Sequence, residues 1–331
     1  MSARGEWIKR QARRGITCRG VQIALGLLWL LDGLLQFQPY MYSGEWIAET
    51  ERLAQMQPAA IGHPILWAAQ LVGPHLAVWN TGFALLQCLI GLGLLYRPTV
   101  KPALLASFAW VLVVWWFGEG LGMVFMDMGA PLSGMGTPLS GDPGAVLLYG
   151  LLGALVWPAE RPAGGSAVAS GPFGDRGGLV VWSGLWAAGA LIWLQALTRP
   201  VFSIHGALIE AAEDSMPWLA GVQRSLAGAL QGDGRAVALV LAIASLAIAA
   251  AVWTRWRRQA LLAGAALAAL YWTLGQSLGG LTTGEATDPN IGPLLILLAV
   301  ALWPAALPAR SLPARPQRGA RAGRPARSSH A

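Results

Sequence analysis

The chain has 331 residues, 55% of them hydrophobic and only 12% charged, with a formal net charge of +7. Soluble domains carry about 25% charged residues, so this composition indicates a polytopic membrane protein rather than a soluble domain. Its two cysteines, Cys18 and Cys88, form no CxxC pair, so the sequence indicates neither a disulfide framework nor a cysteine metal site.

Eight apolar segments of roughly bilayer-crossing length follow one another along the chain. They are 21–38, 75–96, 102–122, 144–158, 179–197, 236–254, 259–280 and 291–307. The sequence therefore predicts an all-α membrane protein with eight transmembrane helices, the fourth of them short.

Basic residues predict the orientation. All but four of the 23 Lys and Arg lie at the termini or in alternate loops between the segments. The positive-inside rule places these loops and both termini in the cytoplasm of a bacterial plasma membrane. Because this distribution explains the high pI, no nucleic-acid partner is expected; the lipid bilayer is. The basic, apolar start is interpreted as an uncleaved signal anchor.

A motif occurs twice. Trp115 and Glu119, followed by Asp142-Pro143, match Trp272 and Gln276, followed by Asp288-Pro289, and both apolar runs that follow end in Trp-Pro. The match predicts an internal duplication. Because each half holds an even number of spans, the copies are expected to share one orientation as parallel repeats.

The duplication divides the chain into five parts. They are a basic N-terminus (1–20), a first four-helix repeat (21–158), a Gly/Pro-rich linker (159–178), a second four-helix repeat (179–307) and a basic disordered tail (308–331). Long outer excursions, 39–73 and 198–234, follow the first span of each half. They contain helical patterns around Gly44–Gln57, Ile204–Asp214 and Pro217–Leu230, which are expected to lie in the outer interface.

The second span of the first half resembles the DoxX family. Residues 85–97 form an apolar helix with spaced glycines, Gly91 and Gly93, that ends at Arg97 before the next helix. The corresponding stretch of the second half, Ala247–Trp253, lacks the glycines. The duplicated arrangement also resembles a group of bacterial, largely actinobacterial-type, integral membrane proteins. The resemblance implies a redox-accessory role, quinone as a ligand and a membrane-associated oxidoreductase subunit as partner; it assigns no catalytic residue.

Three residues are candidates for proton handling: Asp32 inside the first span, Glu119 near the outer end of the third, and Gln276 in the place of Glu119 in the second copy. An ionisable group inside a membrane helix is a functional hypothesis by default. The alternative is a structural hydrogen bond, for Asp32 within the bundle and for Glu119 to the Asp-Pro loop. Both interpretations stay open.

Asp142 and Asp288 each precede a proline at the start of an apolar run. Aspartate followed by proline at the first helical position is typical of a helix N-cap. We therefore expect both aspartates to be structural caps.

Four methionines cluster on the outer side of the first half only: Met123, Met126, Met128 and Met135. Thioethers suit Cu(I), so a copper site is one interpretation. Adaptable packing is the other.

No phosphate-binding loop, Ser-His-Asp arrangement or zinc spacing occurs, and the cytoplasmic loops are too short for a nucleotide domain. These absences exclude an ATP-driven pump in this chain alone and do not favour an enzyme acting by itself. Three functions remain: a redox-accessory or quinone-associated subunit, a small-solute transporter, and a structural or assembly factor. The sparse polar residues in the spans argue mildly against transport of a polar substrate.

Overall fold

The computed structural model of the protein describes residues 16–123, 137–159, 165–197 and 204–304. Within these ranges every regular element is helical. The first half contains α1 (Cys18–Leu35), α2 (Gly44–Gln55), α3 (Ala59–Val72), α4 (Leu76–Leu95), α5 (Val100–Phe117) and α6 (Ala145–Leu155). The second half contains α7 (Gly174–Ala196), α8 (Ile204–Glu213), α9 (Pro217–Ala229), α10 (Gly234–Ala251), α11 (Arg257–Leu270) and α12 (Ile291–Ala301).

Five segments are long and apolar enough to cross a membrane. They are Cys18–Leu35, Ala59–Leu95, Arg97–Phe117, Gly174–Ala196 and Gly234–Ala251. The predicted class, an all-α integral membrane protein in contact with lipid, is confirmed at this level. Helix α3 continues into α4 through a short 3-10 turn at Gly73–His75, although the sequence had indicated no helix at α3.

Helices α6 and α12 are shorter than the predicted spans 144–158 and 291–307. Each has 11 residues, or about 16 Å of helix against a hydrocarbon thickness of about 30 Å. Each ends earlier than its predicted span, α6 at Leu155 and α12 at Ala301, and each is entered through a residue with positive φ, Gly144 (98°) and Asn290 (66°). Both are therefore half-length helices entered through irregular chain.

Glycines allow α1 and α4 to pack closely. A Cβ atom on Gly26 would lie 2.9 Å from the Gly91 carbonyl oxygen, and one on Gly33 would lie 2.6 Å from the Cys88 sulfur. Small residues at helix contacts are the usual means of close packing in membranes. Helices α7 and α10 also pack against each other, with a hydrogen bond from the Ser183 hydroxyl to the Ala249 carbonyl (2.8 Å).

Arginines satisfy helix C-termini at one end of the bundle. Arg19 donates to the carbonyls of Leu94 (2.8 Å) and Leu95 (2.5 Å) at the end of α4. Arg257 pairs with Asp175 at the start of α7 and donates to the Leu302 carbonyl (2.6 Å) beyond α12. Helix-terminal carbonyls need such partners because no intrahelical donor reaches them. We call this the basic end, and the opposite end the distal end.

Helices α2, α8 and α9 confirm the helical patterns predicted in the two excursions. Helix α7 begins at Gly174, inside the predicted linker 159–178, and a 3-10 turn at Ala167–Ser170 precedes it with Ala167 and Val168 buried. The predicted signal anchor begins outside the described residues. The predicted disordered tail lies entirely outside them.

Candidate functional site

Two connections at the distal end share an unusual backbone. After α5, residues 120–123 all have positive φ, and after α11 residues 277–280 do the same, with values between 50° and 74°. A left-handed conformation costs about 1–2 kcal/mol for each residue other than glycine. Leu121, Met123, Ser277 and Leu278 adopt it nevertheless. Such strain persists only where the surroundings enforce it, and it is often found at functional sites.

Glu119 and Gln276 each precede one of these turns and hold the start of a half-length helix. Glu119 Oε1 accepts a hydrogen bond from the backbone N–H of Val146 in α6 (3.1 Å). Gln276 Oε1 accepts one from Gly292 in α12 (3.2 Å). The two side chains thus supply an acceptor to helix N-terminal N–H groups. The third predicted span, 102–122, ends as a helix at Phe117, so Glu119 lies in the connection.

The remaining polar atoms of the two side chains differ. Gln276 Nε2 donates to the Pro138 carbonyl (3.1 Å), which joins the second half to the first. Glu119 Oε2 is buried without a hydrogen-bond partner, in space left by Gly144, where a Cβ atom would lie 2.1 Å away. Both polar atoms of the amide make a hydrogen bond, whereas only one carboxylate oxygen of the acid does.

Burial raises the pKa values of two carboxyl groups at this end of the bundle. Loss of hydration raises the pKa of Glu119 from 4.5 to about 8, and the nearby Asp288 and Asp142 carboxylates act in the same direction. Burial also raises the pKa of Asp288. A carboxyl with a pKa in this range changes its protonation state near neutral pH.

The N-cap positions predicted at Asp142 and Asp288 are occupied by other residues. Gly144 precedes α6 without a side-chain cap, and Asn290 caps α12 by accepting from the Ile291 N–H (2.7 Å). Both helices begin two residues later than expected because the chain after each Asp-Pro is left-handed. Asp288 instead supports the cap, since its Oδ1 accepts from the Asn290 N–H (2.6 Å).

Asp32 lies in the interior of α1, 4% exposed, and its side chain interacts with the Tyr149 hydroxyl of α6. Trp29, one turn earlier, packs on the Tyr149 ring with centroids 4.5 Å apart. The Asp32 carboxyl and the Tyr149 hydroxyl share a side-chain hydrogen bond, while Trp29 Nε1 is buried without a hydrogen-bond partner. Asp288 interacts electrostatically with Asp32, Tyr149 and Glu119. Asp32 and Glu119 thus each lie within electrostatic range of the same carboxyl, that of Asp288.

Tyr149 and Trp29 were missed by the sequence analysis. Each stands in an apolar run, where an aromatic residue indicates packing rather than chemistry. The only available signal was the phenol group of a tyrosine in the middle of a predicted span. Its proximity to Asp32, 117 positions earlier, depends on the packing of α6 against α1.

The predicted copper cluster is largely outside the described residues. Met126, Met128 and Met135 lie there, and Met123 alone is described, with its sulfur accepting from Gln57 Nε2 (3.1 Å). Across the described part of the chain, no group of three or more His, Cys, Asp or Glu residues is arranged to hold a metal. The copper hypothesis stays a prediction.

A polar cleft of about 300 Å³ opens at the distal end above the second turn. Three acids, Glu210, Asp214 and Glu285, line it, and Gln276 and Ser277 lie among its walls. The cleft joins α8 to the connection before α12.

Comparison with family models, with curated proteins and with solved structures finds no match to this chain. Any functional assignment therefore rests on the residues and geometry described above.

Proposed function

We propose that the protein is a redox-accessory, quinone-associated membrane subunit of the DoxX-like kind, in which Asp32 and Glu119 handle protons. It would lie in a bacterial plasma membrane beside an oxidoreductase partner. The observation that carries the proposal is the buried carboxyl of Asp32 beside the Tyr149 hydroxyl, inside a membrane-crossing helix. An ionisable group inside a membrane helix costs free energy, so its presence there indicates a function.

We further infer that the bundle consists of two parallel four-helix units and eight membrane segments, two of them half-length. The matching order of helices and the matching left-handed turns after α5 and α11 support this duplication. The arginines at the basic end support a cytoplasmic location of that end and of both termini.

Access to Asp32 favours the distal side. Toward the basic end, buried apolar residues such as Val21, Leu25 and Leu152 surround the path along α1. Toward the distal end lies Asp288, whose carboxyl accepts from the exposed Thr287 hydroxyl (3.1 Å). Exchange of protons with one side only fits quinol oxidation, which releases protons near the face where it occurs, better than transport across the membrane.

Quinone retention tests the proposal. We would extract the protein with its surrounding lipid into polymer nanodiscs and measure quinone per protein by mass spectrometry. We expect enrichment over the bulk membrane in the wild type and a loss of at least about half in Asp32→Asn, where removal of one protonatable group changes charge but hardly volume.

The matched control is Asp233→Asn, an exposed aspartate at the distal end, which should retain the wild-type quinone content. If the wild type and both variants held quinone only at the level of the bulk membrane, the proposed quinone association would be wrong.

The distal cleft favours a second candidate, a small-solute transporter. Its acidic lining would attract a cationic solute. Uptake of a labelled organic cation into proteoliposomes, lost in a Glu210→Gln, Asp214→Asn double variant, would support this candidate over the first.

A further inference from the structure

We infer that the start of α11, at the basic end, is a binding site for the headgroup phosphate of one anionic phospholipid, held by the guanidinium groups of Arg255 and Arg258. The inference goes beyond the proposed redox role and does not depend on it. The site lies at the opposite end of the bundle from Glu119.

The charges at the start of α11 are of the sign that a helix N-terminus disfavours. Arg255, Arg257 and Arg258 lie there, and the first turn contains no acidic residue. Because a helix N-terminus carries a partial positive charge, it favours anions and disfavours cations. Asp175 neutralises Arg257, and this is the only ion pair among the described residues. Within that part of the chain, Arg255 and Arg258 therefore lack an anion.

The same turn has free backbone donors. No side chain caps the first turn of α11, and across the described ranges no acceptor bonds to the backbone N–H groups of Arg258 and Gln259. The first N–H groups of a helix have no intrahelical partner, and they bind phosphate readily. Two backbone donors thus lie beside two guanidinium groups that no anion neutralises.

Indole rings hold both guanidinium groups. The guanidinium carbon of Arg255 lies 5.3 Å from the centroid of the Trp256 ring, and that of Arg258 lies 5.9 Å from the centroid of the Trp303 ring. An arginine stacked on an aromatic face keeps the planar set of N–H donors that matches a phosphate. Three residues of chain span at most about 11 Å, so one headgroup lies within reach of both side chains.

The surroundings of the site favour a lipid over a free anion. Trp253 and Trp256 are 49% and 51% exposed, and Trp253 follows α10, a segment long and apolar enough to cross a membrane. Exposed tryptophans at the end of such a segment are typical of the membrane–water interface, where lipid headgroups lie. Clustered basic residues at this depth attract anionic lipids.

The turn between α4 and α5, also at the basic end, lacks these features. Its basic residues are Arg97 and Lys101, and no stacking of either on an aromatic ring is found among the described residues. Pro102, the third residue of α5, has no N–H to donate. Arg97 and Lys101 therefore provide a control of equal charge.

Native mass spectrometry of the full chain in a neutral detergent tests the site. We would titrate anionic phosphatidylglycerol and zwitterionic phosphatidylethanolamine with the same acyl chains, and measure the affinity for the first bound lipid. We expect the wild type to bind the anionic lipid at least about tenfold more tightly, since each arginine near the surface contributes about fivefold. The Arg255→Gln, Arg258→Gln double variant should lose this preference.

The matched control is the Arg97→Gln, Lys101→Gln double variant, which removes the same charge from the same end and should keep the preference. All four substituted side chains are exposed, and both double variants retain Arg257, so the fold should persist. A wild type without the preference, or an equal loss of it in the two double variants, would overturn the inference.

Inorganic phosphate, added at the concentration of the lipid, separates the two sources of the anion. We expect it not to displace phosphatidylglycerol. If it competed as strongly as the lipid itself, and bound only to chains that retain Arg255 and Arg258, the ligand would be a free anion and the lipid assignment would be wrong.

Discussion

The two distal connections have nearly the same backbone but different hydrogen bonding. In the second, Gln276 bonds at both ends of its amide and the Trp272 indole donates to the Pro289 carbonyl (2.8 Å). In the first, Glu119 Oε2 and the Trp115 indole remain unpaired. In the second half, therefore, the strained turn is part of a hydrogen-bonded structural connection. In the first half the same turn follows an acid with one buried, unpaired oxygen, and we expect chemistry there.

The largest effect should come from blocking the contact between the two halves. A Cβ atom on Gly275 would lie 2.1 Å from the Leu139 carbonyl oxygen, so Gly275→Ala must displace backbone. We expect a loss of about 4 kcal/mol in the free energy of unfolding, measured by denaturation in detergent. The control is Gly221→Ala in α9, where no atom lies within 4 Å of the added Cβ; an equal effect there would contradict the steric argument.

Replacing Gln276 with glutamate, the residue at the matching place in the first connection, should lower the stability by less than Gly275→Ala does. Gln276→Glu removes the donor to the Pro138 carbonyl and places a carboxylate oxygen against it. We expect a loss of about 3 kcal/mol above neutral pH, and a smaller loss in acid where the new group is protonated. Denaturation at two pH values checks this; a loss that does not depend on pH would show that charge is not the cause.

The reverse conversion should stabilise the protein in a pH-dependent way. The pKa of Glu119 is raised in the folded state from 4.5 to about 8, so the folded protein binds more protons than the unfolded chain between these values. Stability then falls as the pH rises through this window. Glu119→Gln should remove the dependence and gain a few kcal/mol above pH 8.

At pH 4, below both values, the Glu119→Gln variant and the wild type should be equally stable. A variant that kept the full pH dependence would assign it to another group, with Asp288 the first to examine through Asp288→Asn.

The smallest effect concerns the indoles. Trp272→Phe loses a hydrogen bond to Pro289, whereas Trp115→Phe loses none. Both lose similar packing, so the difference between them should be about 1 kcal/mol. Equal losses would mean that the Trp115 indole finds a partner in solution, for instance a water, and that the two connections differ less than described.

Local patterns in the sequence were enough for several features. Apolar run lengths predicted the class and most helices, because burial in lipid depends on composition over about 20 residues. The repeated Trp, Gly and Asp-Pro order also paired Glu119 with Gln276 at corresponding positions. The half-length of α6 and α12 was not visible, because hydropathy does not register that each helix ends inside an apolar run, at Leu155 and at Ala301.

The sequence by itself thus determined that the chain is an apolar, all-α membrane protein with a buried acid in its first long helix. Tertiary structure alone decided which groups meet that acid. Tyr149 comes from α6 and Asp288 from the connection before α12, far from Asp32 along the chain. The physical reason is that hydropathy and propensity act over a few turns, whereas the surroundings of Asp32 depend on how separate helices pack against one another.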